Sequence, residues 1–289
     1  MNRVSPQLGT PAVSLAHFDH PPGLEHCDPD HEVAAADSIS FVQAGEFDMI
    51  VGGRRWRFLP GMMFVATRGM QFACRHEKGR TDDLCLSVAF GEQAVEDLRS
   101  AGIPPLVAPA AHLTRRARYL RHRLASCERG DEIRLELLSA ALYESLAAGD
   151  QGTPRRHEPG ATAVMRRIDR AVERIEQDYA RPLSLDHLAS TAGMSSFHFA
   201  RVFRELVGMP PHRYLTAVRL RHAVARLEQG ATVSATALDV GFGSLGHFIT
   251  AFRKRFGVVP SAARRGVRLP SMRAAVSAPI WGLVESERR

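Results

Sequence analysis

The chain is short of the residues that catalytic and exported proteins usually display. It has four cysteines in 289 residues, Cys27, Cys74, Cys85 and Cys127. None forms a CxxC pair, so neither a disulfide framework nor a zinc ribbon is expected. Lysine is nearly missing: of 38 basic residues only Lys78 and Lys254 are lysine, and the rest are arginine. No apolar run approaches the roughly 18 residues of a membrane helix. The N-terminus lacks a basic segment followed by an apolar one, so no secretory signal is read there. A soluble cytoplasmic protein with no membrane partner is expected. Chemistry is equally sparse. His17, His20, His26, Cys27 and His31 lie close together, but no HxH pair occurs anywhere. No Ser/His/Asp constellation and no phosphate-binding glycine loop appear. No metal, no cofactor and no catalytic residue is therefore assigned, and the chain is read as not an enzyme.

What the chain does contain is a repeat. Ser195, Phe199, Phe203, Arg204, Gly208 and Pro211 recur 49 positions later as Ser244, Phe248, Phe252, Arg253, Gly257 and Pro260. Repetition at fixed spacing reveals the unit of construction. Each serine sits where a helix N-cap belongs. Phe199, Val202, Phe203 and Leu206 follow at i, i+3, i+4 and i+7, one face of a helix, and Phe248, Phe252 and Phe256 repeat that face. Each glycine fits a left-handed helix stop with proline soon after. A shorter helical stretch precedes each copy, at 183–193 and at 232–243. Helix, tight turn and second helix form the arrangement whose second helix can enter a DNA major groove. Charge agrees. Residues 1–160 hold 18 Lys+Arg against 21 Asp+Glu, a net of −3, whereas residues 161–289 hold 20 against 10, a net of +10. A basic half beside a mildly acidic one suits a nucleic-acid-binding domain joined to an unrelated domain.

Residues 188–223 read LAxxAGMSxxxFxRxFRxxxGxxPxxYLxxxRLxxA, and residues 240–264 read VGFGSxxHFxxAFRKRFGVxPSxxR. From about 165 to 264 the chain resembles the AraC/XylS-type regulators of bacterial transcription. The resemblance implies two helix-turn-helix units joined by a rigid helix and reading successive major-groove segments. It implies base-facing residues Ser196, Phe197, Ala200 and Arg201 in copy one, and Leu245, Gly246, His247 and Thr250 in copy two. Arg204 and Arg253 complete the candidate DNA-binding set, and Arg166, Arg167, Arg213 and Arg219 are read as DNA-backbone contacts or solvated. Many family members carry arginine at the position of Thr250 and tyrosine at that of Ala263. The first departure predicts that copy two reads bases less strongly, or reads a thymine methyl through Leu245 or Ile249. Implied partners are double-stranded promoter DNA, RNA polymerase, a small-molecule effector and a second copy of the chain. Family habit leans to activation.

The first half reads as β structure. Residues 12–16 suggest a strand. From 38 to 90, short apolar runs are broken by glycine, with a hairpin at Gly52-Gly53 and a turn at Pro60-Gly61. Leu84, Leu86, Val88 and Phe90 alternate with small or polar residues, as in a half-buried strand. Periodicity shows only a compact β domain; the cupin-like barrel is what the resemblance adds. Helices are expected at 92–101, 110–127 and 131–147, the last with a stripe of Ile133, Leu137, Leu138, Leu142 and Leu146 facing the barrel or a dimer partner. The C-terminal domain should open with a helix at 161–179, and a long connecting helix is read at 211–229. The fold class is thus two domains: a mainly-β cupin-like barrel with a helical pair over 1–148, and an all-α double helix-turn-helix over 161–266. A linker at 149–160 and a tail at 267–289 complete the chain. Phe41, Trp56, Phe58 and Phe64 are the candidate effector-binding residues, with plain core as the other reading. Arg54, Arg55 and Arg57 could meet an anionic effector or form a solvated hairpin. Two alternatives stay open: a cupin-type metal-dependent enzyme with a DNA-binding appendage, and an architectural DNA-binding protein with no effector.

Overall fold

A computed structural model describes residues 3–4, 8–19, 31–76, 83–106, 110–147 and 160–267. They fall into two compact units, 3–147 and 160–267. The linker apart from Gly160, the tail beyond Val267, and His20, His26 and Cys27 lie outside the described residues.

The N-terminal unit is built from two antiparallel sheets. Strands β1 (Arg3–Val4), β2 (Leu8–Gly9), β3 (Val13–Asp19), β5 (Asp37–Ala44), β8 (Met62–Ala66), β10 (Leu84–Phe90) and β11 (Ala110–His112) form the larger, in the order β1-β3-β10-β5-β8-β11 with β2 also on β3. Strands β4 (Glu32–Val33), β6 (Phe47–Val51), β7 (Arg54–Phe58) and β9 (Gln71–Arg75) form the smaller, in the order β4-β9-β6-β7. The hairpin at Gly52-Gly53 joins β6 to β7, with Val51 opposite Arg54. The two sheets remain separate, so the described strands do not close into the expected barrel.

Alternation along the strands decides what each face of the larger sheet touches. Ile39, Phe41, Met63, Val65, Leu86, Val88 and Phe90 point one way and share a core with helices α1 (Glu92–Ser100), α2 (Arg115–Ala125) and α3 (Glu132–Ala147). Val42, Phe64, Ala66 and Cys85 point the other way and pack on Met49 and Phe58 of the smaller sheet. Two helical expectations need correction. Residues 110–112 are strand, paired with β8, and α2 starts only after Thr114, whose hydroxyl accepts from Ala117 N at 3.0 Å. On α3 the buried side carries Leu135, Ser139, Leu142 and Tyr143, while Ile133 is 63% exposed. Of the expected stripe Leu142 is buried and Leu138 and Leu146 pack on the core, so much of it does face the sheet; Ile133 does not, and Ser139 and Tyr143 join the inner side.

The C-terminal unit is all helix. Its elements are α4 (Ala161–Asp178), α5 (Leu185–Thr191), α6 (Ser196–Val207), α7 (Pro211–Glu228), α8 (Val233–Asp239), α9 (Leu245–Phe256) and α10 (Pro260–Arg264). Ser195 accepts from His198 N and Ser244 from His247 N, so both second helices are capped as their sequence demands. Ser184 and Thr232 cap the first helices in the same way. Gly208 and Gly257 end α6 and α9 with φ of 91° and 74°. Phe199, Phe203, Phe248 and Phe252 are fully buried, and α7 brings Leu220, Ala223, Val224 and Leu227 to the second aromatic cluster. The magnitudes rank these contributions. Truncating such a phenylalanine costs about 3–5 kcal/mol. The Arg226–Asp239 pair is roughly half exposed on both sides and contributes about 0–1 kcal/mol.

The repeat is not quite regular. Gly193 and Gly241 both have positive φ and lie 48 apart, while Ser195 and Ser244 lie 49 apart. Gly243 is the extra residue in the second turn. At Gly241 (φ 87°) a Cβ would stand 2.5 Å from the Ala180 carbonyl oxygen, whereas at Gly230 (φ 89°) it would meet nothing within 4 Å. Gly230→Ala should therefore cost only the left-handed penalty, about 1–2 kcal/mol. Gly241→Ala should cost measurably more in urea denaturation, and equal losses would mean that the turn moves away from Ala180.

Candidate nucleic-acid interface

The exposed faces of α6 and α9 follow from what their other faces bury. On α6, Phe199, Val202, Phe203 and Leu206 turn inward, which sends Phe197, His198, Arg201 and Arg204 outward. Phe197 is 83% exposed. Arg201 lies against His198, with Nη2 3.3 Å from Nδ1. His198 was not singled out from sequence; its i, i+3 spacing to Arg201 is the signal that marks it. Ser196 and Ala200 are half-buried, and the Ser196 hydroxyl donates to Asp186 of α5. On α9, Leu245, Gly246, His247, Thr250 and Arg253 are all exposed. His247 rests edge-on to Phe242, with ring centroids 5.4 Å apart. Arg204 and Arg253 are exposed on both copies, but beyond them the chemistry differs: Phe197 and Arg201 on α6, Leu245, His247 and Thr250 on α9.

Other arginines have structural duties. Arg167 Nε donates to Ala192 O at 2.6 Å and its Nη2 donates to Gly193 O, clamping the first turn. Arg219 donates from Nε to Tyr179 O at 2.7 Å and from Nη2 to Arg181 O at 3.0 Å, with its guanidinium 5.9 Å from the Phe242 ring. Both satisfy carbonyls left over at helix ends. Arg219 is half-buried, and that burial lowers its pKa. Arg166 and Arg213 are exposed.

The connector is braced as well. Tyr214 OH donates to Glu176 Oε1 at 2.7 Å, and Arg221 pairs with Glu176 Oε2. His222 stacks flat on Tyr179 at 4.0 Å, and burial together with Arg221 holds its pKa below the usual histidine value. These contacts tie α4 to α7, so the helix between the two prongs cannot swivel independently.

In the N-terminal unit the four aromatic candidates separate. Phe41 faces the helices, Phe58 is fully buried between the sheets and Trp56 is half-buried. Only Phe64 of the four lines a cavity of about 310 Å³ between the sheets. Arg55 pairs with Asp48 at 2.6 Å and Arg57 with Glu46 at 3.0 Å, so these two arginines have partners on the hairpin itself. Among the described residues no three His, Cys, Asp or Glu side chains converge as metal ligands, and no helix is long and apolar enough to cross a membrane.

Fold and exposed faces together define a double helix-turn-helix domain. Residues 188–266 match the family described as a helix-turn-helix domain. An uncharacterized HTH-type transcriptional regulator of Haemophilus influenzae is 37% identical over 105 residues, 36% of this chain and 35% of that protein. The uncharacterized HTH-type transcriptional regulator YbfI of Bacillus subtilis is 26% identical over 222 residues, 72% of this chain and 77% of its own length. A solved structure of a probable AraC family transcriptional regulator from Rhodopseudomonas palustris is 35% identical, covering 36% of this chain and 98% of that one with a TM-score of 0.33. Over residues 188–266 the chain carries a helix-turn-helix domain similar to those of HTH-type transcriptional regulators. The match spans about a third of the Haemophilus relative's length and about three quarters of that of YbfI.

The unequal prongs generate a test. Arg201→Ala should weaken binding to a preferred site by about 1–3 kcal/mol and relax specificity there, because it removes a charged bidentate donor. Thr250→Ala should cost less. Equilibrium titration of both variants on one duplex decides it, and equal losses would contradict the assignment of unequal roles.

Proposed function

We propose that this chain is a sequence-specific DNA-binding transcription regulator whose C-terminal unit inserts α6 and α9 into successive major grooves on one face of a duplex. The observation that carries this reading is the pair of capped helices that bury phenylalanines on one side and present Phe197, Arg201, Leu245 and Thr250 on the other. The base-facing set is Ser196, Phe197, Ala200, Arg201, Leu245, Gly246, His247 and Thr250. Arg204 and Arg253 hold phosphates, which position the protein without reading sequence. Of this set Ser196 acts through its bond to Asp186, fixing the start of α6 against α5.

The same reading extends to the rest of the chain. The N-terminal unit responds to a small-molecule effector, and the outer side of α3, where Ile133 is exposed, meets a second copy. The regulator works in the cytoplasm as an activator that contacts RNA polymerase, and it is not an enzyme. The Cys85 thiol fits that view: burial, with help from Asp83, pushes its pKa up to about 12, far from a reactive thiolate.

Selection of duplexes from a random library by the full-length chain tests the proposal. A selected site should be bound at least about 10³-fold more tightly than a scrambled one at physiological salt. Affinity for both should fall steeply between about 50 and 200 mM salt, as expected when arginines displace counterions. Equal affinity for selected and scrambled duplexes would reduce the chain to a non-specific binder.

A further inference from the structure

The cavity between the two sheets has a composition that discriminates among ligands. Its walls are aromatic from both sides: Phe18 and Phe64 from the larger sheet, Phe47 and Phe72 from the smaller. Phe64 and Phe72 meet edge-on with centroids 5.7 Å apart. At about 310 Å³ it lies at the small end of ligand sites, roughly 300–1,000 Å³.

Besides Glu32 and Ser38, the polar side chains on the walls include two hydrogen-bonded pairs. Toward Phe47, His76 Nε2 and Asp83 Oδ1 pair at 3.1 Å, with both side chains 4% exposed. On the larger sheet, the Ser40 hydroxyl donates to Ser87 Oγ at 2.9 Å. One hydrogen bond joins two hydroxyls, so one hydroxyl hydrogen of the pair is left over. Ser87 is 6% exposed and lines the cavity. A buried donor of that kind costs free energy unless an acceptor reaches it.

Charge narrows the choice. Among the described lining residues there is no arginine or lysine, and beside the thiols of Cys74 and Cys85 the ionisable groups are Glu32, His76 and Asp83. The imidazole already faces the Asp83 carboxylate. Against the described walls a ligand carboxylate would face the half-buried Glu32 and the buried Asp83 with no described arginine or lysine beside it, which is unfavourable. A sugar would bring many hydroxyls to a wall that is mostly phenylalanine, alanine, valine and methionine, and most would go unpaired.

We infer that the inter-sheet cavity is a binding site for a small, uncharged, aromatic molecule with a single oxygen acceptor, its ring among Phe18, Phe47, Phe64 and Phe72 and its oxygen on the Ser40–Ser87 pair. This deepens the reading of the N-terminal unit as a sensor and rests on it. It also shifts the ligand-facing residues from Phe41, Trp56 and Phe58 to the strand positions that alternate with Phe41.

The test uses full-length chain and two probes that differ only in charge and head group, 2-naphthol and 2-naphthoate. Calorimetric titration should show 2-naphthol binding and 2-naphthoate binding at least 10-fold more weakly. Saturating 2-naphthol should raise the melting temperature by about 2–4 °C. Ala66→Leu and, independently, Ser38→Leu fill the cavity from the larger sheet and should each abolish naphthol binding while the unliganded protein melts as before. Whichever of the two folds provides the result. Equal binding of both probes would overturn the chemical class, and undiminished binding to a folded filling variant would overturn the location. No binding of naphthol to the parent chain would overturn the inference as a whole. DNA affinity measured on the same preparation separates the readings: intact DNA binding without naphthol binding defeats only the ligand site, whereas absent sequence-specific DNA binding defeats the regulator proposal itself.

Discussion

Everything the C-terminal unit can offer to a duplex depends on α7 being held rigid between two small cores. Leu215 and Val218 are buried near its start, and Leu220, Ala223, Val224 and Leu227 fill the second aromatic cluster. At 18 residues and about 1.5 Å per residue it is roughly 27 Å long, somewhat shorter than the rise of about 34 Å of one turn of DNA. Were α7 free to bend, two short helices would sample many separations, and each would bind a groove without regard to the other. Glu176, taking Tyr214 on one oxygen and Arg221 on the other, and Arg219, capping two carbonyls beyond α4, restrict that freedom with directional bonds. Burial provides most of the stability; these bonds provide the angle.

The N-terminal unit solves a different problem by strand alternation. One sheet must bury two unlike faces. Its odd positions on β5, such as Ile39 and Phe41, are large and support the helices. Its even positions, Ser38, Ser40 and Val42, are smaller and leave space before the second sheet. A one-residue slip would exchange the two sets and place phenylalanine in the cavity and serine in the helical core. Cys85 and Ser87 on the neighbouring strand keep the same alternation, so the cavity is written into pairs of strands at once.

Sequence carried the C-terminal unit well because its signals are local. Ser195, Ser244, Gly208 and Gly257 act within one helical turn, and the phenylalanine spacing needs no knowledge of partners. What stayed hidden depends on distant contacts. Arg167 and Arg219 look like their exposed neighbours Arg166 and Arg213 until the carbonyls they reach, 25 or more residues away, are brought beside them. Ser139 and Tyr143 enter the core of the first unit although their polarity places them outside by pattern. The segment 110–112 has helix-compatible alanines and becomes strand only because β8 offers an edge. Phe41 and Phe64 share a residue type but point to opposite sides of one sheet, and only the register between strands tells them apart.

The most direct measurement is of binding to a selected site in which the two contacted blocks are moved apart. Blocks read by α6 and α9 should lie about one helical turn, 10–10.5 bp, from centre to centre. Insertion of half a turn between them should carry one block to the opposite face of the duplex. Affinity should then fall to that of a site with one block deleted. Unchanged affinity after the insertion would mean that the two helices engage DNA independently, and the rigid double reader described above would be wrong.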